Sequence, residues 1–165
     1  MIQAGPRSHE LRQQARPGAR RGVMTVKEQV SIRPAEAAER EQVQNLWEAS
    51  GLSRTAIDEW EALTNGATTA VLVAHVGTEI VGAAIAAFDG WRAYIYHVAV
   101  AERARHQGIA YDLMGHAEQY LLSAGARHVY VMVDGENTEG LALVGSLAYL
   151  PEGDLVLVKK LASRP

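Results

Sequence analysis

The sequence predicts an α/β domain, a mixed and mostly antiparallel sheet flanked by helices. Two observations predict it. Residues 69–75 and 79–88 are apolar, β-prone runs joined by the turn Val76-Gly77-Thr78, the pattern of a hairpin. Residues 94–100 form another β-prone run, and a short turn carries it into a helical period. There Ala110, Leu113, Met114, Ala117 and Leu121 share one face at three- and four-residue steps. A chain of 165 residues, 48% of them hydrophobic, suffices for one domain with a sizeable core.

Residues 1–26 are expected to be a disordered basic tail, and residues 27–165 the folded domain. The tail is rich in Arg, Gln, Gly and Ala and has almost no large apolar side chain, so burial cannot offset its ordering entropy. Met24 is an alternative start. Residues 30–33 then read as a first strand, with Pro34 where a helix would begin. Val43, Leu46, Trp47 and Ser50 share a helical face that Gly51 ends. A second helix is expected over 55–63, with Ile57, Trp60 and Leu63 toward the core. Asn65-Gly66 is a turn. After the hairpin, 89–92 is a turn, 93–100 a strand and the long helix runs to about residue 124, where Gly125 caps it. Residues 127–133 read as a strand and 138–147 as a helix weakened by Gly140 and Gly145. Alternation over 155–159 predicts a last strand. Both Trp47 and Trp60 are read as core aromatics, with contact to a bound ligand as the alternative.

Charge and composition narrow the function. The net charge is −3, yet residues 1–24 hold five arginines and one glutamate, so the rest of the chain carries −7. An acidic domain argues against nucleic acid as partner and suits an amine-bearing one. Cysteine is absent, which removes disulfides, thiolate metal sites and a thiol nucleophile. No apolar run is long enough for a membrane span and nothing resembles a signal peptide, so a soluble cytoplasmic protein is expected.

The chemistry concentrates at Arg105-His106-Gln107-Gly108-Ile109-Ala110, between the strand and the long helix. Gly108 lacks a Cβ and Ala110 carries only a methyl, so a bulky anion can approach the backbone. The first amides of a helix lack intrahelical partners and sit at the positive end of its dipole. A strand feeding such a turn is a ready phosphate site.

The run Val98-Ala99-Val100 through Arg105-x-x-Gly108-Ile109-Ala110 resembles the central acetyl-CoA motif of the GNAT superfamily of N-acetyltransferases. The resemblance extends over about residues 30–161. It includes Ser31-Ile32-Arg33-Pro34-Ala35, the turn and strand from Gly125 to Val131, and the stretch from Asn137 to Tyr149. Phe88-Asp89-Gly90-Trp91-Arg92 is similar to a loop in small bacterial members of the YpeA-like kind. It implies a sheet splayed at its fourth strand to admit acetyl-CoA as co-substrate. It also implies acetyl transfer to the primary amine of a small molecule, peptide or protein, by a monomer or homodimer.

Carried onto this sequence, the resemblance gives Val98, Ala99, Val100, Arg105, His106, Gln107, Gly108, Ile109, Ala110, Tyr111 and Asn137 to cofactor binding. Backbone N–H groups of Val98 and Val100 would face the oxyanion. Arg105 either adds charge or braces the turn. Asn137 either bonds the pantetheine arm or caps a helix. Alternation puts Tyr94, Tyr96 and Val98 on one strand face and Ile95, His97 and Ala99 on the other. In the family it resembles, residues at the positions of Tyr94 and Tyr96 point toward the acceptor and act as or relay to a base, which makes these two the catalytic candidates, through a water relay rather than by direct abstraction. His97 is read as structural unless a bulge turns it. No metal is expected. Val144 stands where many relatives carry a tyrosine assigned as general acid. That departure motivates the alternative of a non-catalytic acyl-CoA-binding module or sensor.

Overall fold

The computed structural model describes residues 29–153 and 157–159. The expected tail at 1–26 and residues 155 and 156 of the expected last strand lie outside them.

Five strands form one sheet in the order β1 (Val30–Pro34), β2 (Thr69–Val76), β3 (Glu79–Phe88), β4 (Ala93–Val100) and β5 (Val129–Val131). The first four pair antiparallel. β4 and β5 run parallel, with the crossover made by the long helix between them. The sheet is mixed and mostly antiparallel, as the sequence predicts.

Helices cover both faces. Helices α1 (Arg40–Ala49) and α2 (Ile57–Asn65) pack on one face, helix α3 (Ile109–Ser123) on the other, and α4 (Thr138–Ser146) follows β5. The core is accordingly split. On the α3 side, Ile109, Leu113, Met114 and Leu121 meet Leu72, Val81, Ala84 and Ile95. On the α1 side, Val43, Trp47 and Trp60 meet Val71, Val73, Ile85 and Ala99. Because both faces are covered, β2 and β3 read as nearly unbroken apolar runs. Gly82 of β3 lets α3 approach closely, since a Cβ there would stand 2.9 Å from Leu113 Cδ1 and 3.3 Å from Ile109 Cγ2.

Several elements differ from their predicted form. The first helix does not begin at Pro34. A 3-10 turn over Ala37–Glu39 intervenes, because Glu39 reaches back to the Glu36 N–H at 2.7 Å. Helix α2 starts at Ile57, and Ile57 is exposed rather than core-facing, since it occupies the first helical position. Buried Gln44 was invisible to periodicity. Its amide bridges to Thr55, donating to Oγ1 at 2.6 Å and accepting from the backbone N–H at 2.8 Å, which ties α1 to the loop before α2. Strand β5 is three residues rather than seven. Residues 157–159 form no strand, and Leu157 and Val158 are exposed. Trp47 and Trp60 are core aromatics, edge-to-face at 6.3 Å.

Candidate active site

The site begins with an irregularity in β4. Tyr96 stands opposite Ile85 and Ala99 opposite Ala83, so His97 and Val98 together face only Ala84. This is a β-bulge, and His97 takes a left-handed backbone with φ 53°. The extra residue resets the alternation. Val98 packs with Ile95 on the α3 side, while Ala99 joins Tyr96 on the α1 side. The expected grouping of Val98 with Tyr94 and Tyr96 is thereby overturned, because a period of two cannot run through a bulge. The bulge turns His97 toward α1, where its ring lies edge-on to Trp47 at 5.1 Å and to Tyr96 at 5.8 Å. Trp47 Nε1 donates to the His97 carbonyl at 2.9 Å.

Pairing between β4 and β5 covers only Ala93–Ile95 against Val129–Val131. Beyond it a cleft of about 720 Å³ opens between the outer part of β4, the N-terminus of α3, and α4. Of the predicted cofactor residues, Val98, Ala99, Val100, Arg105, His106, Gly108, Ile109, Ala110, Tyr111 and Asn137 line it. Gln107 does not, because its amide folds back onto the Arg103 carbonyl at 3.3 Å. Tyr96 lines the cleft; Tyr94 does not. The Tyr94 ring instead packs on Tyr130 at 5.6 Å, in a surface group where the Arg92 guanidinium lies 4.7 Å over Trp91.

The turn into α3 is built from its backbone. A 3-10 turn (Glu102–Ala104) leads to Arg105, whose Nε donates to the Val100 carbonyl at 3.2 Å and braces the loop. His106 and Gly108 both lie at positive φ, 59° and 79°. Gly108 is the N-cap, no side chain caps the helix, and the first intrahelical bond runs from Asp112 N to Gly108 O. The amides of Ile109, Ala110 and Tyr111 therefore precede the hydrogen-bonded turns at the positive end of the dipole. These donors, a missing Cβ and the methyl of Ala110 suit a pyrophosphate.

The opposite wall is α4. Asn137 Oδ1 accepts from Gly140 N at 2.9 Å, so the side chain is a helix cap as well as a cleft residue. Val144 lies two turns further along the same wall. His106 Nε2 and Glu139 Oε1 stand 3.9 Å apart between the turn and α4, both exposed.

Electrostatics bear on the candidate bases. Tyr96 is half-buried, and burial pushes its phenol up, so the hydroxyl stays protonated at neutral pH. Asp89 is committed to its turn: Oδ1 accepts from the backbone of Arg92 and Trp91 at 2.7 and 2.8 Å, and those bonds lower its carboxyl pKa. Sequence reasoning missed Ser53. Its oxygens meet His97 Nε2 at 3.3 Å across 44 residues of chain, which no local pattern signals.

Residues 34–148 match the acetyltransferase (GNAT) family. An acetyltransferase of Sodalis glossinidius (strain morsitans) is 31% identical over 123 residues, covering 73% of this chain and 87% of the relative. Among solved structures, an aminoglycoside acetyltransferase from an uncultured soil metagenomic sample, in complex with sisomicin, superposes with a TM-score of 0.71 at 22% identity. It covers 84% of this chain and all of the other. AAC(6')-Iy in complex with the bisubstrate analogue CoA-S-monomethyl-acetylneamine superposes with a TM-score of 0.70 at 16% identity, covering 81% and 99% of the two chains. The chain belongs to the GNAT family of acetyltransferases.

Proposed function

We propose that the protein transfers an acetyl group from acetyl-CoA to a primary amine of a small molecule, peptide or protein in the cytoplasm, as a monomer or homodimer. The observation that carries this reading is the cleft where β4 leaves β5, which ends on the uncapped N-terminus of α3. Both solved structures named above are aminoglycoside acetyltransferases, one with a CoA-linked analogue, which supports an amine acceptor and a CoA donor.

In this reading the amides of Ile109 to Tyr111 hold the pyrophosphate, and the left-handed Gly108 keeps the approach open. Arg105 holds the loop rather than the phosphate. The N–H groups of Val98 and Val100 stabilise the oxyanion on the acetyl carbonyl. Asn137 shapes the wall through its cap. Tyr96, kept protonated by burial, orients the acceptor as a hydrogen-bond donor. Tyr94 lies outside the cleft, so a role in proton transfer there needs a water chain. Val144 donates nothing to the departing sulfur. A thiol pKa of about 8.5 makes the thiolate a tolerable leaving group without help.

Val144 also favours a second reading, an acyl-CoA-binding module without turnover. A thiol-release screen with acetyl-CoA over polyamines, amino acids, aminoglycosides and peptides separates the two. Amine-dependent release of CoA supports transfer. Calorimetric binding of acetyl-CoA with no release for any amine class supports the sensor instead.

A further inference from the structure

We infer that His97 is the group that takes the proton from the attacking amine. The inference rests on the acetyl-transfer reading and deepens it. The bulge places His97 where β4 parts from β5, and the residue lines the cleft beside Tyr96. A left-handed backbone at a residue with a Cβ is strained, and Trp47 holds it through the carbonyl bond and the ring contact. Glycine or asparagine would satisfy that backbone at lower cost, so the fold itself does not call for an imidazole here.

The contacts of the ring fix its proton. Nε2 lies 3.3 Å from both the carbonyl oxygen and Oγ of Ser53. A carbonyl only accepts, so Nε2 carries the hydrogen and Nδ1 carries the lone pair. When Nδ1 takes a proton, the Nε2–H bond to Ser53 persists and stabilises the imidazolium, as an orienting acceptor does for other histidine bases. Rivals in the cleft serve less well. The Tyr96 phenol is neutral at pH 7 and burial raises it further, Val144 has no lone pair to take a proton, and Asp134 Oδ1 already accepts from Glu136 N at 2.9 Å. His106 and Glu139 also line the cleft, but at the turn into α3 and on α4 rather than on β4. In the step assigned to His97, the ammonium of the acceptor gives one proton to Nδ1. The freed electron pair forms the N–C bond to the acetyl carbon. The C–S bond then breaks with its pair on sulfur, and the adduct nitrogen loses a second proton. One of the two protons ends on the thiolate and the other passes from His97 to solvent, so ammonium and thioester become amide, thiol and one proton.

The test is His97→Gly, which the left-handed backbone accepts, assayed with acetyl-CoA and the best amine of the screen. The expected result is a fall in kcat of about 10²–10⁴-fold with the KM for acetyl-CoA unchanged. Imidazole in the buffer should restore at least tenfold of that loss, with the acetylated amine, not acetylimidazole, identified by mass. A wild-type rate in His97→Gly overturns the inference. So does a loss that imidazole fails to restore while His97→Asn, which keeps a polar side chain at that φ, restores it, because His97 would then act only through bulge geometry. A wild-type protein inactive with every amine overturns the acetyl-transfer reading, and this inference with it.

Discussion

The indole Nε1 of Trp47 donates to the carbonyl of His97 at 2.9 Å, so a buried core side chain holds the one residue of β4 that breaks its alternation. The two are 50 residues apart in sequence. Trp47→Phe would keep an aromatic ring but strand the carbonyl and leave a void. The expected cost is about 2–4 kcal/mol, the sum of an unsatisfied acceptor and a cavity. Urea unfolding should show a lower midpoint at an unchanged slope. A midpoint equal to wild type would mean the bulge stands without the tryptophan.

Gly108 is where crowding and backbone strain meet. Its φ of 79° penalises any Cβ before the cofactor is considered. Gly108→Ala should lower stability by about 1 kcal/mol and weaken acetyl-CoA binding. Gly108→Asn should lose less stability, because asparagine tolerates the left-handed region, yet weaken binding at least as much through its bulk. Calorimetric titration of both variants decides: full affinity in Gly108→Asn would remove this turn as the phosphate cradle.

Asn137 and Gly140 are coupled across the first turn of α4. A Cβ on Gly140 would fall 2.7 Å from Asn137 Nδ2 and 3.0 Å from Val133 Cγ1, so it displaces the cap. Asn137→Ala alone should cost about 1 kcal/mol. In a Gly140→Ala background the same change should cost close to nothing, because the cap is already gone. A double-mutant cycle by thermal unfolding measures this coupling, and strictly additive losses would refute it.

Arg33 and Glu39 make a forked pair at 2.8 and 2.7 Å, with the carboxylate side chain 15% exposed. Bonding from Arg33 lowers the Glu39 pKa despite some desolvation. A carboxyl lowered in the folded state contributes stability above its unfolded pKa of about 4.3, and loses it as pH falls through the folded value. Glu39→Gln should therefore melt lower than wild type at pH 7. The deficit should be about 1 kcal/mol or less, since the Arg33 side chain is 36% exposed. Below about pH 4 the two melting curves should approach each other, and a gap that widens there would reverse the sign of this contribution.

These sites differ in how far the sequence discloses them. The turn at 105–110 was legible because its determinants are local: a glycine, a small residue, and the switch from period two to period 3.6. The hairpin and the core faces of α1 and α3 were legible for the same reason. The bulge at His97 was not. It depends on Trp47 and on the register of β3, both distant in sequence, so alternation put Val98 and His97 on the wrong faces. Gln44 escaped because a buried amide looks like a surface one until its partner Thr55 is placed. Asn137 satisfied two patterns at once, cap and cleft residue, and the fold uses it for both.

Val144 and Tyr96 together test how the cleft handles protons at the two ends of the reaction. Val144 lines the cleft on α4, and in the acetyl-transfer reading a hydroxyl there would meet the leaving sulfur. Val144→Tyr should raise kcat severalfold if expulsion of the thiolate limits the rate, and leave it unchanged if attack by the amine does. Tyr96 lies at the other end, its phenol held neutral by desolvation. If that hydroxyl only orients the acceptor, Tyr96→Phe should raise the KM for the amine and lower kcat less than tenfold, the loss of about one hydrogen bond. If it were the base, kcat would fall by about 10²–10⁴-fold. Steady-state kinetics of the two variants, with His97→Gly alongside, assign the steps. A fall of the larger size in Tyr96→Phe, with His97→Gly near wild type, would move proton abstraction from the imidazole to the phenol.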